Sequence, residues 1–221
     1  MERKKQELIP RVKICCISSP EEAALAVKYG ASALGLVSEM PSGPGVISLE
    51  LIAEIAGGVP PGVSTFLLSS KTSTEEILAQ QQICRCSTIQ LTDYTAAEVH
   101  HELRRALPGI KIVQVIHVTG EESIYTAQKY AETADALLLD SGNTNLAVKE
   151  LGGTGRTHDW SLSRRIRETV SKPLFLAGGL RPENVRQAIT TVSPYGLDLC
   201  SGVRTNGSLD EEKLAQFIAA V

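Results

Sequence analysis

The feature that most constrains this chain is a regular alternation, from end to end, of short β-branched or leucine-rich runs with longer amphipathic ones. The short runs at 11–17, 33–37, 64–68, 88–91, 111–117, 136–140, 174–177 and 196–199 predict strands. The longer stretches at 20–29, 49–56, 74–84, 96–106, 120–131, 160–170, 182–191 and 209–220 predict helices. Several helix starts pair a hydroxyl with a Glu three residues on, the pattern that satisfies free N–H groups at a helix start: Ser19…Glu22, Ser73…Glu76, Thr95…Glu98, Thr119…Glu122 and Ser208…Glu211. Pro20 and Pro182 suit a first turn, and Gly30 suits a helix end.

Such alternation means parallel strands, and two architectures compete for it. An open doubly wound sheet usually has about five or six strands and a glycine-rich first turn. Here the first turn, Ile17-Ser18-Ser19-Pro20, holds no glycine, and eight strand–helix units leave no segment over. The prediction is a single (β/α)8 TIM barrel over 11–221, preceded by an N-terminal extension at 1–10.

Strand side chains alternate, so polar residues within an apolar run reveal which phase enters the barrel. In the first strand Lys13 and Cys15 share the inner phase, Val12 and Ile14 face the helices, and Cys16 points out. Gln90, Thr92 and Asp198 point inward by the same rule, and Asp140 ends its strand at the C-terminal rim, where active sites of this fold lie. A thiol on strand one and a carboxyl on strand six then face a common mouth. The strand-to-helix loops are short except 38–47 and 141–158, and long loops in a compact domain are often functional. Glycine-rich stretches follow the last three strands: Gly152-Gly153-Thr154-Gly155-Arg156-Thr157, Ala177-Gly178-Gly179-Leu180 and Ser201-Gly202-Val203. Glycines let backbone N–H groups approach an anion, and this fold's recurrent phosphate site follows strands seven and eight. The first stretch is not a dinucleotide fingerprint, since it does not match G-x-G-x-x-G.

Charge excludes several partners. Lys and Arg number 22 against 25 Asp and Glu, which leaves no basic field for nucleic acid, and no apolar run approaches a membrane span. The charged N-terminus lacks the apolar core of a signal peptide, so a cytoplasmic protein is expected, a monomer or homodimer. The five cysteines, Cys15, Cys16, Cys84, Cys86 and Cys200, are odd in number, and neither they nor the adjacent His100 and His101 have metal-ligand spacing. No disulfide framework and no metal are expected.

These residues resemble the phosphoribosylanthranilate isomerase family over nearly the whole chain after the first ten residues. The matching pieces are Lys13-Ile14-Cys15, Gly30-Ala31-Ser32-Ala33-Leu34-Gly35, Ala136-Leu137-Leu138-Leu139-Asp140, Gly152-Gly153-Thr154-Gly155 with Asp159-Trp160, the run Leu176 to Val185, and Ser201-Gly202-Val203. The resemblance implies an Amadori rearrangement in tryptophan biosynthesis, turning an N-phosphoribosyl amine into a 1-amino-1-deoxyribulose phosphate without a cofactor. Carried over, Asp140 is the general acid at the ribose ring oxygen and Cys15 the general base at C2. Lys13, Gly155, Gly178, Gly179, Ser201 and Gly202 hold the phosphorylated substrate, with Thr92, Arg156 and Asp198 as further contacts. The acid must hold its proton, which burial favours, and the thiol must reach the thiolate, which Lys13 on the same face favours.

The departures from the family lie at one end. Gly45 stands where the family carries an arginine for the anthranilate carboxylate, in a loop with one residue inserted. Thr92-Asp93 replaces His-Gly, Cys16 replaces a glycine, and Cys200 replaces a serine. Phosphate and proton-transfer ends are kept while the aglycone end is rewritten. Three functions compete: the isomerase itself, a paralogous isomerase of another phosphorylated sugar or amino-sugar, and a non-catalytic phosphosugar-binding protein. Plainer roles stand beside the chemical ones: Cys84, Cys86 and Cys200 as core filler, Asp140 as a turn cap, Asp198 as an interior hydrogen-bond partner. His117 and His158 are read as polar rim residues, Arg156 as a phosphate partner or a solvated side chain, and Arg164, Arg165 and Arg167 as a solvated helix face.

Overall fold

The computed structural model describes residues 9–142, 148–153 and 155–221. Residues 1–8 of the expected extension and Thr154 of the glycine stretch lie outside the described residues. Eight parallel strands close into one barrel in sequence order: β1 (Arg11–Ile14), β2 (Ala33–Val37), β3 (Ser64–Ser69), β4 (Thr88–Leu91), β5 (Lys111–His117), β6 (Ala136–Asp140), β7 (Leu174–Leu176) and β8 (Gly196–Leu199). Closure is made by β8 on β1, where Lys13 stands opposite Asp198 and Ile14 opposite Leu199. The helices follow in turn: α1 (Pro20–Lys28), α2 (Leu49–Gly58), α3 (Thr74–Cys84), α4 (Ala97–Ala106), α5 (Glu122–Ala131), α6 (Trp160–Thr169), α7 (Val185–Val192) and α8 (Glu211–Ala220). The (β/α)8 barrel is thus as the alternation requires.

The period-two pattern sorts the core into two layers. Outward-facing Ile14, Leu34, Leu67, Leu139 and Leu197 pack under the helices, all fully buried. Each such side chain contributes about 1.5–3 kcal/mol by leaving water. Inward-facing Ala33, Phe66, Val113, Val115, Leu138 and Phe175 fill the barrel itself, with Phe66 and Phe175 edge to face at 6.0 Å between ring centres.

Local signals held at some helix starts and failed at others. Ser19 accepts from the Glu22 amide and Ser73 from that of Glu76, with Pro20 in the first turn of α1. Thr95 does not cap: α4 begins one residue late behind Ala96, and the Thr95 carbonyl instead accepts from the Tyr130 hydroxyl. At α5 the Thr119 amide bonds Ser123 Oγ and the helix starts only at Glu122. Asp210, not Ser208, caps α8. Pro182 lies in a turn before α7, and the Asn184 side chain accepts the Arg181 amide there. β1 and β7 end earlier than the apolar runs because their last residues turn into the rim loops. The loop after β8 is also long: a 3-10 turn (Ser201–Val203) leads into a hairpin of β9 (Arg204–Thr205) and β10 (Ser208–Leu209). Its corner is Asn206-Gly207, both at positive φ, the chemistry a tight hairpin turn demands.

Candidate active site

Lys13 and Asp198, opposite each other across the β1–β8 seam, meet inside the barrel. Nζ donates to Oδ1 at 2.8 Å, and both side chains are buried. The ammonium also stands 5.3 Å from the centre of the Phe66 ring. Burial opposes the Lys13 charge, but the carboxylate of Asp198 and the nearby Cys15 sulfur favour it, and its pKa lies above the ordinary lysine value. Asp198 is therefore an interior ion-pair partner.

Cys15 shares this interior. A Cβ on Gly35 would lie 2.7 Å from Cys15 Sγ and 3.0 Å from Lys13 Nζ, so the bare glycine of β2 makes room for both. The Cys15 thiol is pulled below its ordinary pKa: a hydrogen bond from the Cys16 thiol and the Lys13 ammonium favour the thiolate, while burial and Asp198 oppose it. The backbone is held from behind. Arg204 of the β9–β10 hairpin donates to the carbonyls of Cys15 and Cys16 and grips both oxygens of Glu22 at 2.9 Å. A fork-to-carboxylate pair of this kind is geometrically rigid. Sequence reasoning missed Arg204 and Glu22; the Asn206-Gly207 corner was the signal that would have folded Arg204 back towards β1.

Asp140 ends β6 at the rim. Its Oδ1 accepts from the Ser141 amide at 2.8 Å, so it does cap its own turn. Oδ2 faces Gly152, where an added Cβ would come within 2.6 Å. Cys15 and Asp140 line one cleft of about 690 Å³, open mouth included. Its other walls include Gln90, Thr92, Asp198, Met40 and Leu151.

The three glycine stretches converge on the same cleft. A Cβ on Gly155 would touch Ser201 Oγ at 3.3 Å, one on Gly178 the Arg156 carbonyl at 3.1 Å, and one on Gly202 the Leu180 carbonyl at 2.1 Å. Gly155, Gly178, Gly179, Ser201 and Gly202 thus form one cradle, although they are far apart in sequence. Its walls are largely bare backbone, the material from which anion sites are built.

Other expected positions are corrected or refined. Cys16 does not point out. β1 ends at Ile14, Cys16 takes a left-handed φ of 61°, and its side chain lies in the cleft. Cys200 is not core filler; it is half-buried on the cleft rim, 2.6 Å from Cys16 Sγ to Sγ. Cys84 and Cys86 are buried, and burial pushes their thiols up to about 11 and about 12. Thr92 points inward and donates to the Ser69 carbonyl at 3.1 Å. Arg156 pairs with Glu150 and is mostly exposed. His117 is buried below the rim, its Nε2 2.9 Å from the Thr92 carbonyl, where it ties β4 to β5. His158 sits against Ser163 at 2.6 Å, with its pKa lowered by burial despite the carboxylate of Asp140. Arg164 and Arg165 form exposed ion pairs with Glu168 and Glu121, as a solvated helix face should. Among the described residues no group of three or more His, Cys, Asp or Glu is placed to hold a metal, and no helix is long and apolar enough to cross a membrane.

Comparison with known proteins places the whole chain in one family. The family model described as N-(5'-phosphoribosyl)anthranilate (PRA) isomerase matches residues 12–220. N-(5'-phosphoribosyl)anthranilate isomerase 2 of Methanosarcina mazei is 37% identical over 210 residues, spanning 94% of this chain and 92% of the relative. The solved phosphoribosyl anthranilate isomerase of Thermotoga maritima superposes with a TM-score of 0.82 at 32% identity, covering 96% of this chain and 98% of that one. A second isomerase structure, in complex with reduced 1-(o-carboxyphenylamino)-1-deoxyribulose 5-phosphate, superposes at 0.80 with 30% identity, over 96% and 98% of the two chains. The barrel and this likeness along almost the full length lead to one assignment: the chain belongs to the N-(5'-phosphoribosyl)anthranilate isomerase family.

Proposed function

We propose that this protein catalyses the Amadori rearrangement of N-(5'-phosphoribosyl)anthranilate to 1-(o-carboxyphenylamino)-1-deoxyribulose 5-phosphate in tryptophan biosynthesis. It works as a monomer or homodimer in the cytoplasm, where a free thiol such as Cys15 persists. The substrate phosphate rests on the cradle of Gly155, Gly178, Gly179, Ser201 and Gly202, placing the ribose between the two reactive side chains. Asp140 gives its proton to the ring oxygen as the C1–O bond breaks, and the lone pair of the anthranilate nitrogen on C1 forms the C=N bond of the open-chain iminium. The Cys15 thiolate removes the C2 proton, and the resulting enolamine tautomerises to the ketone. Gly152 allows the sugar side of Asp140 to be closed off without displacing the carboxyl. Lys13 holds charge beside the thiolate, and Arg204 fixes the backbone that carries it.

The observation that carries this reading is that Cys15 and Asp140, 125 positions apart in sequence by their numbers, line one cleft with the glycine cradle at its edge. The test is turnover of N-(5'-phosphoribosyl)anthranilate by the purified protein. Cys15→Ser and Asp140→Asn each lower kcat by about 10²–10⁴-fold, the range for loss of a general acid or base, and leave the affinity for a product analogue nearly unchanged. A protein without turnover whose ligand affinity ignores both substitutions would be a binding module.

Gly45 favours a second reading, an isomerase of another phosphorylated amino-sugar, because an arginine contact to the aglycone carboxylate is absent there. Thermal shift separates the two, since a bound ligand raises apparent stability by mass action. Stabilisation by ribose 5-phosphate but not by an anthranilate analogue, without turnover of the anthranilate substrate, selects the second.

A further inference from the structure

Three sulfurs crowd the rim where β1 meets β8, and the reaction uses only one. Cys15 N donates to the Leu199 carbonyl at 2.6 Å, and Ile14 is in register with Leu199, so 15–16 and Cys200 continue neighbouring strand ends. Adjacent strands run about 4.8 Å apart, inside the Cα separation of about 4.4–6.8 Å that a disulfide takes. The Cys16 and Cys200 sulfurs are already 2.6 Å apart. Cys15 Sγ is turned the other way, into the space above Gly35 of β2. Gly45 packs over Cys16 on its outer side, while Cys200 is half-exposed.

We propose that Cys16 and Cys200 form a reversible dithiol–disulfide site beside Cys15, through which small-molecule disulfides switch the enzyme off. The step is two successive exchanges. The accessible Cys200, as thiolate, attacks one sulfur of R–S–S–R, forming a mixed disulfide and expelling R–S⁻. Cys16 then attacks Cys200 Sγ, the mixed bond breaks, and the second R–S⁻ leaves. Both cysteine protons end on the departing thiolates. Two protein thiols are oxidised to one disulfide, and one small disulfide is reduced to two thiols.

The consequence for catalysis rests on the role proposed for Cys15. In the reduced protein the Cys16 thiol touches Cys200 Sγ at 2.6 Å, and as the chain neighbour of Cys15 it favours the Cys15 thiolate. A disulfide sulfur has no hydrogen to give. Oxidation therefore removes the donor and returns Cys15 towards a protonated, inactive thiol at neutral pH. It also ties the end of β1 to the residue that precedes the Ser201–Val203 turn of the cradle.

The experiment treats the reduced full-length protein with glutathione disulfide and follows three readouts: peptide mass mapping without reductant, turnover, and the pH dependence of Cys15 alkylation. The proposal expects a Cys16–Cys200 cross-link with a loss of about 2 Da and a fall in kcat/KM at pH 7 of about tenfold or more, equivalent to one pKa unit on the base. Dithiothreitol restores both, and Cys200→Ser, compared with its own untreated rate, does not respond. Linkage through Cys15, linkage between two copies, no linkage, or a linked protein with undiminished rate overturns it. If the protein proves inactive on the anthranilate substrate, the proposed reaction fails. The mass map and an upward shift of the Cys15 alkylation profile then still decide the thiol site.

Discussion

Replacing Lys13 by Met removes one half of a buried ion pair while nearly keeping its volume. At 2.8 Å and an effective dielectric of about 20, the attraction between Lys13 and Asp198 amounts to about 6 kcal/mol before desolvation is counted. Much of that is offset by the cost of burying two ions, so the pair itself adds little net stability. Breaking it is another matter, because the Asp198 carboxylate is left buried without a counter-ion. Such losses cost about 3–5 kcal/mol. For a domain of this size each kcal/mol lowers Tm by about 2–4 °C, giving a fall of about 6–20 °C at neutral pH. The sign of the pH dependence follows from Asp198. Burial already raises the Asp198 pKa against the pull of Lys13; without Lys13 it rises further, so the added penalty is absent below the unfolded pKa and grows as pH rises through the folded value. Thermal melts of Lys13→Met across pH 4 to 8, beside the double variant Lys13→Met/Asp198→Val, measure this directly. The double variant should recover most of the loss, since two apolar side chains replace two ions. A single variant within about 3 °C of wild type at pH 7, or a double variant no more stable than the single, would refute the reasoning.

Gly152→Ala places a methyl where Asp140 Oδ2 now lies 2.6 Å from the ideal Cβ position, on a backbone at φ +134°; kcat should drop about 10²-fold, the scale of an ångström misplacement, with the cooperative melt preserved. Glu22 has its pKa lowered because the Arg204 fork and the amides of Ser18 and Leu209 outweigh burial. It adds stability above the ordinary value of 4.5 that is lost as pH falls through the lower folded pKa. Glu22→Gln should therefore melt lower at pH 7 and lose less on acidification, which pH-dependent melts will show. Gly45→Arg alone should destabilise the protein, and adding Cys16→Gly should restore much of the loss; equal melts for the single and double variants would rule out a clash between side chains at 45 and 16.

The parts of this molecule that obey a period were legible in the sequence. Hydrophobic alternation located all eight strands, and the inner phase of β1 correctly paired Lys13 with Cys15 because strand geometry holds through Ile14. The phase failed two residues past the strand: Cys16 adopts a left-handed conformation, and alternation has no meaning there. Capping residues were read well where the chain enters a helix straight from a loop, as at Ser19. They were misread at Thr95 and Ser208, where tertiary partners or a nearer aspartate took the role. The cradle was legible because glycines cluster in sequence. The support from Arg204 and Glu22 was not, since it depends on a hairpin that brings together residues 182 positions apart.

Gly45 and Cys16 are coupled sterically. A Cβ on Gly45 would sit 2.5 Å from Cys16 Cβ and 2.9 Å from its Cα, and Gly45 itself is at φ +81°, where a side chain is strained in any case. Only one of the two residues can carry a side chain in this backbone arrangement. The resembled family places its side chain at 45 and leaves 16 bare; this chain does the reverse. With the side chain at 16 and none at 45, the nearby cleft lining includes Val37, Met40, Leu68 and Leu151, with Thr92 engaged by the Ser69 carbonyl. This placement also sets the Cys16 thiol next to Cys15 in the chain and 2.6 Å from Cys200 Sγ. A side chain at 45 and one at 16 therefore exclude each other, and neither position can be changed without disturbing the other.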